Sequence, residues 1–600
     1  MENKSKKMKV IIVGGVAGGA SCAARLRRLD ENAEIIMVER GPYVSYANCG
    51  LPYHIGDVIL KESSLLVASE KTFREQFAVD CRTRCEAISI NPDKKTVELK
   101  NHLTGEVTFE NYDKLVLSPG APSIRPPLPG IDLPGIFEVR TVPDARAVRE
   151  WIEKGTMFLT GMNNYSGFQT VKPKPRAVVI GGGFIGLETA ENLVHRGFAV
   201  TIVEMASQIL VPLDPEMARI AEKHVERHGI RLALNDGVAS FQQAKNNTID
   251  VLTKSGKSYP ADIVILSLGV KPDTKLAKTA GLKIGDRGGI RVDEHMRTSN
   301  PDIFAVGDAV EVKDFVTGEW SLIALAGPAN RQGRIAADVI AGRDSRFRGS
   351  QGTSIIGLFG ASAAWTGASE KTLNRLGDKD FEKIYIYPNS HAGYYPGARP
   401  IAMKVLFRKS NGKLLGAQAL GEDMVDKRIS AMAVAIQMGS TVYDLEEAEL
   451  CYSPQFGSAK DPVNFAGMVA ADVLRGDMPI SHWDTVTNGF LLDVRDNFEL
   501  AVETMPGAMN IPLSELRGRL GELPRDKEIN VICRSGQRAF AATRILLQNG
   551  FKAKNVSGGM LSRTHSFLFN DEMENGDDGR PTINKNSMSI NKKTVSHEKV

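Results

Sequence analysis

One stretch decides the fold of this 600-residue chain: Ala177-Val178-Val179-Ile180-Gly181-Gly182-Gly183-Phe184-Ile185-Gly186. Its four apolar residues are typical of a buried parallel strand, and the glycines that follow match the pattern G-x-G-x-x-G in full. The next apolar run, Thr201-Ile202-Val203-Glu204, ends in an acidic residue. This order predicts a dinucleotide-binding βαβ unit, in which the pyrophosphate lies against Gly181, Gly183 and Gly186 and the ribose against Glu204.

A second unit of the same kind precedes it. The apolar run Val10–Val13 leads into Gly14-Gly15-Val16-Ala17-Gly18-Gly19, and a further strand is predicted over Glu34–Glu39. Val16 stands where the full pattern has its middle glycine. The residues predicted to bind the nucleotide are Gly14, Gly15, Gly18, Gly19 and Glu39. Two such units predict two bound dinucleotides, one of them a flavin.

The acid of the later unit indicates which nicotinamide nucleotide binds there. Met205-Ala206-Ser207 follows Glu204 and contains no arginine. A carboxylate accepts hydrogen bonds from the ribose hydroxyls and repels a 2′-phosphate. The sequence therefore favours NADH over NADPH.

Length and charge restrict the class of protein further. A single core stops growing at roughly 250–300 residues, so a chain of this length is expected to form several domains. The 75 basic and 71 acidic residues nearly cancel, and no basic block stands out. This balance argues against a nucleic-acid partner.

Cysteine usage and apolar runs exclude two further classes. Six scattered cysteines do not make a disulfide framework, and none has partners at metal-binding spacing. Cys81 and Cys85 flank Thr83 on one apparent strand and are predicted to pack in the core. No apolar run approaches the roughly 18–20 residues of a membrane span. We expect a cytoplasmic protein with no metal and no membrane partner.

The order of motifs now supports a resemblance. Ser118-Pro119-Gly120-Ala121 ends one apolar strand, and Phe304-Ala305-Val306-Gly307-Asp308-Ala309 ends another. Together with the paired glycine turns, they resemble the flavoprotein disulfide reductases that bind two dinucleotides. The resemblance implies two Rossmann-like α/β domains, FAD and NADH as cofactors, and Asp308 on the flavin ribitol.

A single cysteine stands where that family has its redox site. It lies in Ser45-Tyr46-Ala47-Asn48-Cys49-Gly50, and the positions of a partner cysteine hold Val44 and His54. This setting resembles the coenzyme A disulfide reductase and NADH oxidase/peroxidase branch, where the cysteine cycles as a mixed disulfide, persulfide or sulfenic acid. Ser45 and Asn48 are predicted to orient a bound thiol. Coenzyme A phosphates are predicted to meet Arg25, Arg28, Lys71 and Arg74.

Alternating strands after residue 350 resemble the family's α+β dimerisation domain, with a hairpin at Ser410-Asn411-Gly412-Lys413. In this branch, two tyrosines of the partner subunit approach the reactive cysteine. The matching segments are His391–Pro396 and Leu450–Pro454. They indicate Tyr394 and Tyr452, with Tyr395 open as an alternative to Tyr394, and a homodimer.

The last part of the chain resembles a rhodanese, or sulfurtransferase, domain. Ile529-Asn530-Val531-Ile532 is predicted to be a strand that leads into Cys533-Arg534-Ser535-Gly536-Gln537-Arg538, which matches the active loop C-x-x-G-x-R. A tight loop at a helix N-terminus directs backbone N–H groups at the sulfur. Cys533 is therefore predicted to carry a persulfide, assisted by Arg534 and Arg538.

These observations predict the following division of the chain: a disordered tail (1–7), an FAD-binding domain (8–120 and 270–350), an NADH-binding domain (121–269), a dimerisation domain (351–478), a rhodanese domain (481–567) and a disordered tail (570–600).

The resemblance implies that electrons from NADH pass through FAD to sulfur at Cys49. The substrates are then persulfide, polysulfide, coenzyme A disulfide or coenzyme A persulfide, and Cys533 delivers sulfane sulfur. Two alternatives stay open. One is an NADH oxidase or peroxidase that uses a sulfenic acid at Cys49. The other is a sulfurtransferase relay that the flavoprotein half regulates.

Overall fold

A computed structural model describes residues 7–161, 174–244, 248–486 and 489–564. The predicted tails lie outside these ranges, apart from Lys7. No helix within them is long and apolar enough to cross a membrane.

The first part of the chain builds most of a parallel sheet and a smaller antiparallel one. Its elements are β1 (Lys9–Val13), α1 (Ala17–Leu29), β2 (Glu34–Glu39), α2 (Leu51–Ile55), α3 (Glu70–Phe77), β3 (Asp80–Thr83), β4 (Cys85–Asn91), β5 (Thr96–Asn101), β6 (Val107–Asn111), β7 (Lys114–Leu117), β8 (Ile136–Glu138) and α4 (Val142–Gly161).

Strand β1 lies inside the parallel sheet, with β2 on one side and β7 on the other. Its apolar run Val10–Val13 is buried, which is why a continuous apolar stretch rather than an alternating one marks this strand. The predicted single strand through Cys81 and Cys85 is wrong, because Arg84 adopts a left-handed conformation (φ 50°) and sends β3 and β4 into different sheets. Both cysteines are buried, which confirms their packing role.

The second part repeats the arrangement. Its elements are β9 (Arg176–Ile180), α5 (Phe184–His195), β10 (Ala199–Val203), α6 (Pro215–Arg227), β11 (Arg231–Ala233), β12 (Val238–Gln243), β13 (Ile249–Thr253), β14 (Ser258–Ala261) and β15 (Ile263–Leu266). The parallel sheet has the order β11-β10-β9-β15-β8, and β12–β14 form a separate antiparallel sheet.

The chain then returns to the first sheet through α7 (Lys275–Thr279), β16 (Ile290–Arg291), β17 (Ile303–Ala305), β18 (Val310–Lys313), β19 (Trp320–Ser321) and α8 (Ala326–Ile340). Strand β17 pairs with β7, which gives the order β17-β7-β1-β2-β3. Helix α8 packs closely on α1, since a Cβ on Gly333 would lie 2.1 Å from the carbonyl oxygen of Gly18.

A five-stranded antiparallel sheet with helices follows. Its elements are β20 (Ser354–Leu358), β21 (Ala361–Gly367), α9 (Glu370–Arg375), β22 (Phe381–Ile386), β23 (Ile401–Arg408), β24 (Leu414–Gly421), α10 (Val425–Met438), α11 (Val442–Glu446) and α12 (Pro462–Arg475). The order is β20-β21-β24-β23-β22, and the predicted hairpin joins β23 to β24.

The last part is a small parallel α/β unit. It contains β25 (Ile480–Ser481), β26 (Phe490–Asp493), α13 (Asn497–Leu500), β27 (Met509–Asn510), α14 (Leu513–Leu516), β28 (Ile529–Ile532), α15 (Gln537–Gln548), β29 (Ala553–Val556) and α16 (Gly559–Thr564). The strand order is β25-β29-β28-β26-β27, with its own apolar core.

This unit contacts the edge strand β22 of the antiparallel sheet. The backbone N–H of Tyr385 donates to Ser557 Oγ at 3.1 Å, and His482 Nε2 lies 3.0 Å from Glu382 Oε1. A backbone-to-side-chain hydrogen bond and a contact between two side chains therefore join the two units.

A buried lysine joins β23 to the second parallel unit. Lys404 is fully buried, and its Nζ lies 2.9 Å from Asp214 and 2.6 Å from Glu370, with Glu216 as a third acidic partner. A buried charge needs this degree of pairing, because desolvation alone costs several kcal/mol.

Candidate active site

Cys49 lies in a 3-10 helix, Asn48–Gly50, that runs directly into α2. The preceding turn is fixed at Ser45, a non-glycine residue at φ 47°. Ser45 N–H donates to the carbonyl of Gly15 at 2.8 Å, and its own carbonyl accepts from Val67 N–H at 2.8 Å. The segment is thereby attached to the first glycine turn, and the Cys49 side chain is exposed.

The exposed thiol opens onto a cavity of about 560 Å³. The cavity runs from the glycine turn to Cys49 and is lined by Gly14, Gly18, Glu39 and Asp308. Asn48 also lines it, whereas Ser45 contributes backbone hydrogen bonds to the turn. The cavity therefore brings the predicted nucleotide-binding residues of the first unit together with the predicted redox cysteine.

The two glycine turns have nearly the same geometry. Gly14 and Gly181 adopt φ of 95° and 110°. A Cβ on Gly19 would lie 1.9 Å from the carbonyl oxygen of Gly14, and a Cβ on Gly186 would lie 2.0 Å from that of Gly181. Helix α1 and helix α5 thus approach their strands closely enough to present free N–H groups to a pyrophosphate.

The two acidic residues occupy equivalent positions as well. Glu39 accepts from Gly15 N–H at 2.9 Å, and Glu204 accepts from Gly182 N–H at 2.7 Å. These bonds hold each carboxylate beside its turn, where a ribose hydroxyl would meet it. Both clefts fit a dinucleotide on this geometry.

Charges around Cys49 act in opposite directions. Partial desolvation by the surrounding protein raises the pKa of the Cys49 thiol, although the residue is exposed on the cavity, and the negative charges of Glu188 and Asp308 raise it further. Arg140 lowers it. Arg140 Nη2 donates to Asp308 Oδ2 at 3.2 Å, and its carbonyl accepts from Asn48 Nδ2 at 3.3 Å. Arg140 therefore links the cysteine segment to the predicted flavin-binding aspartate.

Cys533 has a different setting. Its side chain is 1% exposed, and its Sγ accepts from the N–H groups of Gly536 and Ala539 at 3.2 and 3.3 Å. Gly536, at φ 91°, caps α15 in a conformation that favours glycine. The strand, loop and helix thus direct two backbone donors at one sulfur, as the sequence predicts.

The two arginines of this loop differ. Arg538 makes ion pairs with Asp496 at 3.1 Å and with Glu499 at 2.5 Å. Arg534 is exposed and makes no ion pair with any described residue.

The comparison with known families agrees with this geometry. Residues 8–333 match the profile of the pyridine nucleotide-disulphide oxidoreductases, residues 355–461 their dimerisation domain, and residues 480–562 a rhodanese-like domain. The chain belongs to the pyridine nucleotide-disulphide oxidoreductase family.

Individual relatives of this oxidoreductase fall into two groups. Over 463 residues it is 33% identical to the coenzyme A disulfide reductase of Staphylococcus epidermidis, which covers 77% of this chain and 99% of the relative. Over 474 residues it is 33% identical to an NADH oxidase of Methanocaldococcus jannaschii, which covers 78% and 99%.

Two solved structures match the rhodanese part as well. Reduced CoADR-RHD of Bacillus anthracis is 44% identical, with a TM-score of 0.88, over 94% of this chain and all of that one. A NAD-dependent persulfide reductase from A. fulgidus is 36% identical, with a TM-score of 0.83, over 92% and 100%.

The predicted tyrosines of the oxidoreductase meet each other. Tyr394 and Tyr452 are exposed, and their hydroxyl oxygens lie 2.9 Å apart. Tyr395 instead donates to Gln455 at 3.4 Å. Neither tyrosine of the pair lines the Cys49 cavity of the same chain. The choice of Tyr394 over Tyr395 stays a prediction.

The four basic residues predicted for coenzyme A each have a partner within the chain. Arg25 pairs with Asp338 at 2.8 Å, and Arg28 lies over the Phe77 ring at 5.9 Å. Lys71 pairs with Glu75 at 3.8 Å, and Arg74 pairs with Glu70 at 3.1 Å. None lines the cavity, and their role in binding phosphate stays a prediction.

Three residues of the site escaped the sequence analysis. Arg140 comes from the segment between β8 and α4, which carries no motif. Tyr53 and Glu188 form a hydrogen bond of 3.0 Å from the tyrosine hydroxyl to the carboxylate. Tyr53 lies four residues after Cys49 on a continuous helical path, so helical spacing was the signal that places it beside the cysteine.

The pKa values of Tyr53 and Glu188 reflect burial first and nearby negative charge second. Burial raises the pKa of Glu188, and Glu191 raises it further, although the Tyr53 hydrogen bond opposes this. Burial and the Glu188 charge raise the pKa of Tyr53. Negative charge is thus unfavourable at Glu188 and at Cys49, and ionisation of one opposes ionisation of the other.

Proposed function

We propose that this oxidoreductase uses NADH to reduce a sulfur–sulfur bond held at Cys49. The substrate class is a persulfide, a polysulfide or a disulfide of coenzyme A, and the rhodanese domain delivers sulfane sulfur from Cys533. The observation that carries the proposal is a single exposed cysteine at the end of the first dinucleotide cavity, in a chain that also holds a sulfur-binding loop.

The chain's own residues define what the site does. FAD, when bound, supplies two-electron exchange between NADH and sulfur. Gly14, Gly18 and Glu39 would hold it, with Asp308 beside its ribitol. Cys49 offers its sulfur at the open end of the cavity, and Arg140 stabilises the thiolate form. Cys85, the other described cysteine that lines the cavity, is buried in β4, so we expect the leaving sulfur atom to come from the substrate.

Acceptor specificity tests this proposal. Steady-state NADH oxidation is measured with coenzyme A persulfide, inorganic polysulfide, coenzyme A disulfide and oxygen, each alone. We expect a sulfur compound to give the highest kcat/KM. If oxygen gives the highest value, the enzyme is an oxidase like its Methanocaldococcus relative, and the reductase proposal fails.

We also propose a cytoplasmic homodimer in which Tyr394 and Tyr452 of one subunit face the Cys49 cavity of the other. Their exposure and mutual hydrogen bond support this, as does the match to a dimerisation domain. Six free cysteines suit a reducing compartment. Analytical ultracentrifugation measures the mass of the protein in solution, and we expect that of a dimer. A monomer of full reductase activity would contradict the proposed arrangement.

A further inference from the structure

The backbone of the Cys533 loop, residues 533–538, is held on every side. The carbonyl of Cys533 accepts from Met560 N–H at 2.9 Å, and the carbonyl of Arg534 accepts from Leu561 N–H at 3.0 Å. Asn555 Nδ2 donates to the carbonyl of Gly536 at 3.1 Å. The loop is therefore rigid, and its donors cannot be rearranged to suit a differently charged substrate.

This rigid loop can stabilise only a small negative charge on Cys533 and a bound donor. Two backbone N–H groups point at Cys533 Sγ, from Gly536 and Ala539. Together with the N-terminal dipole of α15, they suit one negative charge on the sulfur. Charged side chains beside the loop decide how much further negative charge it can stabilise.

The side-chain charges near the loop cancel. Glu499 accepts from both terminal nitrogens of Arg538, at 2.5 and 2.8 Å, and Asp496 accepts from one of them at 3.1 Å. The two carboxylates pair with Arg538 and leave Arg534 without a carboxylate partner among the described residues. Arg534 is then the loop cation that keeps its charge free for a ligand, and it lies in solvent, where its field is screened.

The geometry points to a preference of the rhodanese site for sulfur donors of low charge, namely alkyl persulfides, over the dianion thiosulfate. This inference rests on the proposed function and names the sulfur source of that route.

Charge arithmetic at the reacting sulfur gives the reason. The Cys533 thiolate attacks the terminal sulfur of R–S–SH. A new S–S bond forms at Cys533, the donor's S–S bond breaks, and R–S⁻ leaves with the electron pair and takes a proton from water. The reacting atoms carry one negative charge. Attack on thiosulfate instead brings three negative charges together and releases sulfite.

A rapid-quench experiment on the full-length holoenzyme tests the preference. The protein is mixed with hydroxyethyl persulfide or with thiosulfate, and persulfide on the Cys533 peptide is trapped and quantified by mass spectrometry. Each rate constant is divided by that of the same donor with free cysteine, which removes intrinsic reactivity. We expect the normalised rate for the alkyl persulfide to exceed that for thiosulfate by about 100-fold, the effect of two extra charges in a site whose unpaired cation, Arg534, is screened by solvent.

A charge variant identifies the cause. Glu499→Gln releases Arg538 and should raise the thiosulfate-to-persulfide ratio of rates by about tenfold at low salt, with a smaller gain at high salt. Asp496→Asn should change the ratio in the same direction. Glu522→Gln is the matched control, because it breaks the Arg519–Glu522 pair of the same domain and should leave the ratio unchanged.

Two results would overturn the inference: equal normalised rates for the two donors in the wild-type protein, or a ratio that stays constant or falls in both carboxylate variants. The wild-type comparison needs no variant to fold. NADH oxidation with sulfur acceptors is measured separately, so loss of the reductase activity with an intact donor preference would contradict the proposed function alone.

Discussion

Cys49 and Cys533 are the two cysteines to which we assign a reactive role, and their surroundings differ in nearly every respect. Cys49 is exposed on a large cavity, with carboxylates nearby that disfavour its thiolate. Cys533 is buried in a tight loop, where backbone N–H groups contact its sulfur. The first setting suits a thiol that exchanges with a large substrate and a cofactor. The second suits a sulfur that is held and protected between transfers.

The difference also lies in what supplies the local charge. Around Cys49 the charges are side chains from different elements, with Arg140, Glu188 and Asp308 all contributing. Around Cys533 the donors belong to the backbone of one loop. Side-chain substitutions should therefore tune Cys49 strongly, while the backbone fixes the environment of Cys533.

The largest effect should come from removing the sulfur at Cys49. Cys49→Ser should lower kcat/KM for NADH-dependent persulfide reduction by about 10³-fold or more, because Cys85, the other described cysteine that lines the cavity, is buried in β4. Cys533→Ser should retain most of the rate when a small persulfide is supplied directly. Steady-state assays with both variants make the comparison. Equal losses would show that the two cysteines act as one site.

A smaller effect should follow from the loss of Arg140. Arg140→Gln removes the cation that lowers the pKa of Cys49, so the thiolate should form at higher pH. We expect the alkylation rate of Cys49 by iodoacetamide at pH 7 to fall severalfold, because a smaller fraction of the thiol is ionised.

Arg140→Lys should restore part of this rate, and Arg125→Gln, which breaks an ion pair with Glu138 at 3.1 Å, is the control. Cys533 alkylation should not change in any of these variants. An unchanged Cys49 profile in Arg140→Gln would contradict the assigned role.

The smallest effect should come from Glu188. Its negative charge raises the pKa of Cys49, so Glu188→Gln should lower that pKa and raise the alkylation rate at pH 7 by about threefold. Because Glu188 itself ionises above its ordinary pKa, the wild-type profile should extend over a wider pH range than that of the variant.

Glu191→Gln is the matched control for this change. Glu191 lies on the same helix and raises the pKa of Glu188, but the charges that shift the pKa of Cys49 are those of Glu188, Asp308 and Arg140. A shift of the Cys49 profile of the same size in both variants would mean that the effect is not specific to Glu188.

The sequence predicts local features well and long-range ones poorly. Both glycine turns, their acids and the C-x-x-G-x-R loop are encoded within short segments, so the sequence alone is enough to place Gly181, Glu204 and Cys533 in their turns and loop. Arg140 cannot be placed in this way, because it reaches Asp308 from a segment more than 160 residues away in sequence. Helical spacing places Tyr53 beside Cys49 only when the segment after Cys49 is recognised as a helix, and its sequence carries no motif that shows this.

A backbone irregularity explains why the predicted strand through Cys81 and Cys85 is wrong. The stretch from Cys81 to Cys85 has the composition of a continuous strand, and a single left-handed residue, Arg84, divides it between two sheets. An arginine at positive φ gives no sequence signal of the kind that glycine or asparagine gives.

The contact of the small α/β unit with β22 affects what happens to the remaining protein when the C-terminal unit is deleted. β22 is the outer strand of its sheet, and Ser557 accepts the N–H of Tyr385 on the open side. Deleting the C-terminal unit would expose this strand as a template for intermolecular pairing. A truncated reductase would then need a new edge residue, such as a charged side chain or a proline, to resist aggregation. The C-terminal unit thus protects the open edge of the neighbouring sheet from intermolecular pairing.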